Sequence, residues 1–332
     1  MAKSKESSDA NSGQIIRVKT RMSWKASFKR YWQLYLLLLV PIVYFIIFRY
    51  GPMEYIITAF KKYKINAPVW EMEWAKNKKK ETDVFFYFKQ AFQDNQFLRA
   101  LKNTVVLNVL DLVVGFPAPI IFALILNELV FKRFKKVIQT VAYMPHFLSW
   151  VIIYGLSLRI FATDDGLINM FIQSLGGSPI PFLGDEKLWV VTYVFLGVWQ
   201  NFGWGSIIYL AALSGVDPQL HEAAIVDGAS RWKRTLYVDL PTIIPTITIT
   251  LILRFGSIMS IGFDKAFLMQ NDTNMNASEV ISTYVYKVGL KADSGMQFSY
   301  STAINMFNSV INLGAISLVN YISNRINGSG MW

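Results

Sequence analysis

Six apolar runs, residues 32–48, 104–126, 138–161, 188–213, 242–263 and 302–322, punctuate the sequence. Each matches what a helix needs to cross a bilayer, about 17–25 residues at about 1.5 Å rise. Hydrocarbon offers the backbone no hydrogen bonds, so such runs must satisfy their N–H and C=O groups internally. The fold class expected is therefore an all-α membrane protein with six transmembrane helices. Composition agrees, because only 17% of residues are charged and 53% are hydrophobic, where soluble domains carry about 25% charged residues. The formal charge of +11 lies between the apolar runs rather than on one soluble face, which argues against nucleic acid as a partner. With no cysteine, disulfides, thiolate metal sites and a cysteine nucleophile are excluded together.

An even number of spans places both termini on one side. The first 30 residues carry Lys3, Lys5, Arg17, Lys19, Arg21, Lys25, Lys29 and Arg30 against Glu6 and Asp9, and that basic excess marks the side as cytoplasmic. The link containing Lys132, Arg133, Lys135 and Lys136 agrees, whereas the long outer loop 51–99 is itself basic. Orientation thus rests on the tail and the short link. The expected organisation is a cytoplasmic tail (1–30), one membrane domain (31–325) and a short C-terminal tail (326–332). The first run begins at Trp32, contains Pro41 and is followed by Arg49 and Tyr50, so it reads as a retained helix rather than a cleaved signal. Phe85, Phe86, Phe88, Phe92 and Phe97 recur at roughly helical spacing in the outer loop, either as an amphipathic surface segment or as a small satellite core. Residues 166–187, broken by Gly176, Gly177, Pro179 and Pro181, are too short to span and read as a short helix and a turn.

Enzymatic signatures are sparse. His221 is followed by Glu222, Ala223, Ala224 and Ile225, one histidine short of a zinc-protease helix. There is no G-x-x-x-x-G-K-[ST] loop, no G-x-S-x-G elbow and no carboxylate pair within the runs, so any ATP that drives this chain is hydrolysed by another polypeptide.

The link between the fourth and fifth runs, residues 214–241, carries the most information. Asp217 before Pro218 is a helix N-cap followed by a favoured first position. Gly228 suits the left-handed residue that ends such a helix. Ser230 can cap a second start, whose Arg231, Lys233 and Arg234 stay at the surface. Ala223 and Ala224 keep one side of the first helix thin, so another backbone can approach closely, and Glu222 places a charge beside that patch.

Glu222-Ala223-Ala224, three residues, Gly228, nine residues, then Val238-Asp239-Leu240-Pro241 resembles the EAA motif of ABC-importer membrane subunits, with Val238 at the position usually held by isoleucine. Further segments resemble the branch of maltose-type permeases that imports oligosaccharides or polysaccharide fragments. They include Tyr50-Gly51-Pro52-Met53, Gly115-Phe116-Pro117-Ala118-Pro119 and Tyr143-Met144-Pro145-His146-Phe147-Leu148-Ser149-Trp150. The resemblance implies a MetI-like, type I importer permease of the bacterial plasma membrane. It implies that Glu222, Ala223, Ala224, Gly228, Leu240 and Pro241 couple the chain to ATPase subunits. It also implies a heterodimer with a second permease subunit, two ATPase subunits that hold the ATP and Mg, and an extracellular solute-binding protein. No cofactor is expected on this chain.

Polar groups inside spans need partners or a wet cavity. Arg254 lies in the fifth run and Asp111 in the second; they can pair structurally, or the guanidinium can line the pathway and meet an acidic sugar. Trp199, Gln200, Asn201 and Trp204 of the fourth run, with Asn305 and Asn308 of the sixth, offer the aromatic faces and amides that sugar rings need. The same residues also suit interfacial belts and helix-to-helix bonds. Gly115, Pro117 and Pro119 should bend the second run. Two further readings are a permease for a non-sugar solute and a membrane-embedded enzyme acting on glycan or lipid through Asp111, His146 or Arg254.

Overall fold

The computed structural model describes residues 24–77, 79–291 and 297–327. The C-terminal tail beyond 327, most of the N-terminal tail and Lys78 lie outside them. The described residues are almost wholly helical, apart from the isolated antiparallel bridges Lys61 to Trp74 and Lys76 to Thr82 in the long loop. The chain divides into two units, one ending at Tyr55 and one running from Ile56 onward.

The first unit is built on α1 (Trp24–Phe45), which contains Pro41 and continues as a π turn (Ile46–Tyr50) and a 3-10 stretch from Gly51. Leu36, Leu37, Val40 and Ile46 are all exposed. Apolar side chains facing outward all round a helix mark a segment solvated by lipid or by another protein.

The second unit begins with the loop 60–84. Lys61 Nζ donates to the carbonyls of Val69 (3.0 Å) and Trp70 (3.4 Å), and Tyr63 N donates to Ser299 Oγ at 2.8 Å. The helices that follow are α2 (Phe86–Gln93), α3 (Asn95–Leu110), α4 (Pro117–Asn127), α5 (Lys132–Tyr143), α6 (Trp150–Phe161), α7 (Leu167–Ser174) and α8 (Glu186–Leu213). After them come α9 (Pro218–Val226), α10 (Arg231–Arg234), α11 (Leu240–Phe255), α12 (Phe263–Met269), α13 (Met275–Ser278), α14 (Ile281–Gly289) and α15 (Phe298–Asn327). Phe60, Phe85 and Phe88 cluster at ring separations of 5.6–6.0 Å, while Phe92 and Phe97 meet Phe307 of α15. The aromatic segment is thus a satellite core rather than a free surface helix.

Among the described residues, four helical stretches are long and apolar enough to cross a membrane, Ser27–Ala59, Asn95–Asn127, Arg231–Phe255 and Phe298–Arg325. A fifth is a pair bent by 104°, Lys132–Phe147 with Trp150–Phe161. This corrects the uninterrupted run 138–161. Pro145 sits in a 3-10 turn (Met144–Phe147), Leu148 and Ser149 are extended, and the Ser149 hydroxyl accepts from Ile152 N at 3.4 Å to start α6. Proline removes a helix donor, which is a common cause of such a break. The fifth run also ends early: α11 stops at Phe255 instead of 263, because the glycine- and serine-containing stretch that follows leaves the helix. The second run is interrupted by a π turn, Asp111–Gly115, just before Pro117.

The 28-residue α8 is about 42 Å long at about 1.5 Å per residue, and Asp185 caps its start by accepting from Lys187 N and Leu188 N. It buries Thr192, Gln200 and Ser206 along with Trp189, Tyr193 and Leu196, while Val191, Phe195 and Ile208 stay exposed. Its first half packs with Leu107, Ile153, Ala266 and Met269, and Trp189 Nε1 donates to Met269 O at 2.9 Å. Its last turns pack Tyr209 and Leu213 against Ile120, Ala123 and Ile243 of α4 and α11. Between them, Gly203 lies so close to the Ala142 carbonyl of α5 that a Cβ there would overlap it. A separate core joins Phe97, Ile281, Tyr284, Tyr300 and Ile304.

Candidate functional site

A cavity of about 600 Å³ opens where the π turn after α3, the break between α5 and α6, and the middle of α8 converge. The end of α11 and the start of α12 complete its lining. Every one of these places is a departure from a straight apolar helix or a polar turn of one. That is how a bundle makes room, since irregular backbone at membrane depth is tolerated where it lines a cavity.

Arg254 and Asp111 both line this space and are ion-paired, through Arg254 Nη2 and Asp111 Oδ2. Arg254 thus pairs with Asp111 and also faces the cavity. Gln200 lines the cavity too, but its amide nitrogen donates to the Leu148 carbonyl at 3.0 Å, satisfying a group that the break before α6 would otherwise orphan. Asn201 donates to the Gly197 carbonyl at 3.0 Å, and its Oδ1 lies 3.2 Å from His146 Nδ1. The His146 ring stacks on Trp204, centroids 4.7 Å apart and planes within 3°. His146 is thus oriented by an amide and an indole, with no carboxylate beside it to make it a base.

Four sequence candidates do not line the cavity, among them Trp204, which stacks on the His146 ring that does. Trp199 packs against the apolar core on the first half of α8. Asn305 is exposed and Asn308 half-buried on α15, and neither lines the cavity. Tyr193, another aromatic of the fourth run that suits a sugar ring, lines it too, and residues of the lining that the pattern did not single out for cargo are Trp150, Gly197 and Lys265. Lys265 shares the buried face of α12 with Ala266 and Met269; a lysine at an otherwise apolar helical position was the available signal.

The second candidate region is the link 214–241. Asp217 accepts from Gln219 N, Pro218 opens α9, and Gly228 ends it with φ of +73°. Glu222 and Ala223 are exposed, Ala224 and Leu240 half-buried and Pro241 exposed. No residue of α9 is buried, although Leu220, Ile225 and Val226 are apolar. The helix is tied down by His221, whose Nε2 meets Asp239 Oδ1 at 3.1 Å just before α11. His221 is therefore a strut between α9 and the foot of α11. Among the described residues no group of three His, Cys, Asp or Glu side chains could hold a metal ion. Nearby, Thr235 Oγ1 donates to Glu128 Oε1 at 3.0 Å, tying the foot of α11 to the end of α4.

The model of the family described as binding-protein-dependent transport system inner membrane component matches residues 115–328. The chain belongs to that family. It is 41% identical over 311 residues to Protein LplB of Bacillus subtilis (strain 168), covering 94% of each chain. It is 40% identical to the polygalacturonan/rhamnogalacturonan transport system permease protein YteP of the same organism, covering 90% of each. Among solved structures, a bacterial ABC transporter involved in the import of the acidic polysaccharide alginate contains a chain 37% identical, with a TM-score of 0.80, covering 92% of this chain and 99% of that one. A second structure of the bacterial alginate transporter, in complex with alginate pentasaccharide-bound periplasmic protein, gives a TM-score of 0.81 at 37% identity, covering 93% and 99%. The chain accordingly has the all-helical MetI-like permease fold and is an ABC importer permease, not an enzyme. The reading of Asp111, His146 and Arg254 as catalytic groups is set aside.

Proposed function

We propose that this chain forms half of the translocation pathway for an oligosaccharide in an ATP-driven importer of the bacterial plasma membrane. The observation that carries the coupling half of this reading is α9, a capped helix with no buried residue and three exposed apolar side chains, fixed to the foot of α11. A helix left bare in this way needs a partner to cover it, and an ATPase subunit that docks there can drag α11 as it closes on nucleotide. Glu222, Ala223, Ala224, Gly228, Leu240 and Pro241 form the coupling set. ATP and Mg belong to two such ATPase subunits, and a second permease subunit supplies the other half of the pathway. An extracellular solute-binding protein delivers cargo.

The cavity supports the cargo half. Gln200, Asn201 and Arg254 from the sequence-based set line it, beside Trp150 and Tyr193, a mix of aromatic faces and hydrogen-bonding groups suited to pyranose rings. The relatives named for polygalacturonan, rhamnogalacturonan and alginate transport favour a sugar over other solutes. We propose six spans, with the bent pair and α8 added to the four apolar stretches, and with residues 1–30 and 326–332 as cytoplasmic tails.

The test is reconstitution of the chain with its second permease subunit and ATPase subunits in proteoliposomes. ATP hydrolysis that rises when oligosaccharide-loaded binding protein is added, together with accumulation of the sugar, is the expected result. Hydrolysis indifferent to the loaded binding protein and no sugar uptake would overturn the reading.

A further inference from the structure

The cavity lining contains one carboxylate, Asp111, and two cations, Arg254 and Lys265. Asp111 is engaged by Arg254, so that pair neutralises itself. Lys265 is left over. Its side chain is nine-tenths buried, and its ammonium lies 3.6 Å from the Tyr193 ring centroid and 5.0 Å from that of Trp150. These π faces attract a cation, and their attraction strengthens when water is excluded. They do not discharge it, and they leave an ammonium's three donors short of acceptors. A buried charge without a bonded counter-ion is costly, so an anion that reached the Lys265 ammonium would be held there.

We propose that Lys265 reads a carboxylate on the transported sugar, making it the residue that selects a uronic-acid oligosaccharide. This rests on the oligosaccharide-permease reading above. Arg254 is the weaker candidate for the same task because Asp111 already occupies its guanidinium and would repel an incoming carboxylate. Trp150 holds Lys265 and presents indole surface to the same space, so one sugar ring can meet an apolar face and the ammonium together. Gly197 borders the seat: a Cβ there would meet Lys265 Nζ, so a larger residue would push the ammonium aside.

The experiment uses the complete transporter in proteoliposomes and binding protein loaded with either trigalacturonate or its carboxyl-reduced neutral counterpart. The readout is the ratio of acidic to neutral uptake. Lys265→Met should lower that ratio at least ten-fold, and Lys265→Arg should restore most of it. Gly197→Ala, which keeps the charge and displaces it, should lower the ratio as well, so the test survives if the methionine variant assembles poorly. An unchanged ratio in Lys265→Met, or in Gly197→Ala should the methionine variant fail to assemble, would overturn the proposal. So would equal losses for both sugars, which would point to a carboxylate of the second permease subunit as the true partner of Lys265. Wild-type transporter that carries neither sugar would instead sink the oligosaccharide reading and this one with it.

Discussion

Arg254 and Asp111 stand 143 positions apart and meet beside the cavity. Each is about one-third exposed at the side chain, so the pair lies between a screened surface bridge and a buried one, and removing one partner should cost about 1–2 kcal/mol. Asp111→Asn and Arg254→Ala should each lower the thermal stability of the detergent-solubilised transporter, and the double variant should lose less than the sum. Strict additivity in that cycle would show that the two side chains do not interact. This pair was legible in the sequence because charges at membrane depth have few ways to be satisfied. Gln200 was legible only as a polar residue on α8. Its bond is to a carbonyl 52 positions away, exposed by a helix break that the apolar run concealed. Asn305 and Asn308 lie away from this cavity for the complementary reason: an amide on a span does not say which way the helix is rotated.

At the level of elements, punctuation carried furthest. Asp217, Pro218, Gly228 and Ser230 bound α9 and α10 where their capping chemistry requires, since caps act over three or four residues and need no tertiary context. Gly228→Val places a β-branched side chain at φ of +73°, at a strain of about 1–2 kcal/mol. That variant should insert normally in the membrane and lose sugar uptake, and uptake at the wild-type rate would refute the need for this turn. His221→Ala should loosen the same element from its other end. It strands Asp239, which is 1% exposed and has one carboxylate oxygen already without a partner, at about 1–3 kcal/mol. ATP hydrolysis should continue while sugar moved per ATP falls, and an unaltered ratio would show that the strut transmits nothing. The third and fifth runs were misjudged because hydropathy registers composition, whereas the break at 144–149 and the end at Phe255 depend on one proline and on a short glycine- and serine-containing stretch.

For the whole molecule, the apolar side chains that remain exposed on the long helices, such as Val113, Ile121, Val191 and Leu313, fit a protein whose solvent is lipid. The side on which α9 lies decides whether an ATPase can reach it, and the absence of cysteine from the sequence allows this to be measured without background. A single cysteine at Ala223 should react with a membrane-impermeant maleimide only after the cells are opened. One at Lys79 should react in intact cells. The reverse pattern would overturn the orientation. Fold class was readable from the runs alone; the position of the cavity was not, since it arises where breaks in three helical stretches, after α3, between α5 and α6 and after α11, meet the unbroken α8. The contact of Gly203 with the Ala142 carbonyl sets a further limit on such a molecule. With no side chain between them the two backbones approach this closely only while residue 203 is glycine, so any larger residue there must push α5 and α8 apart.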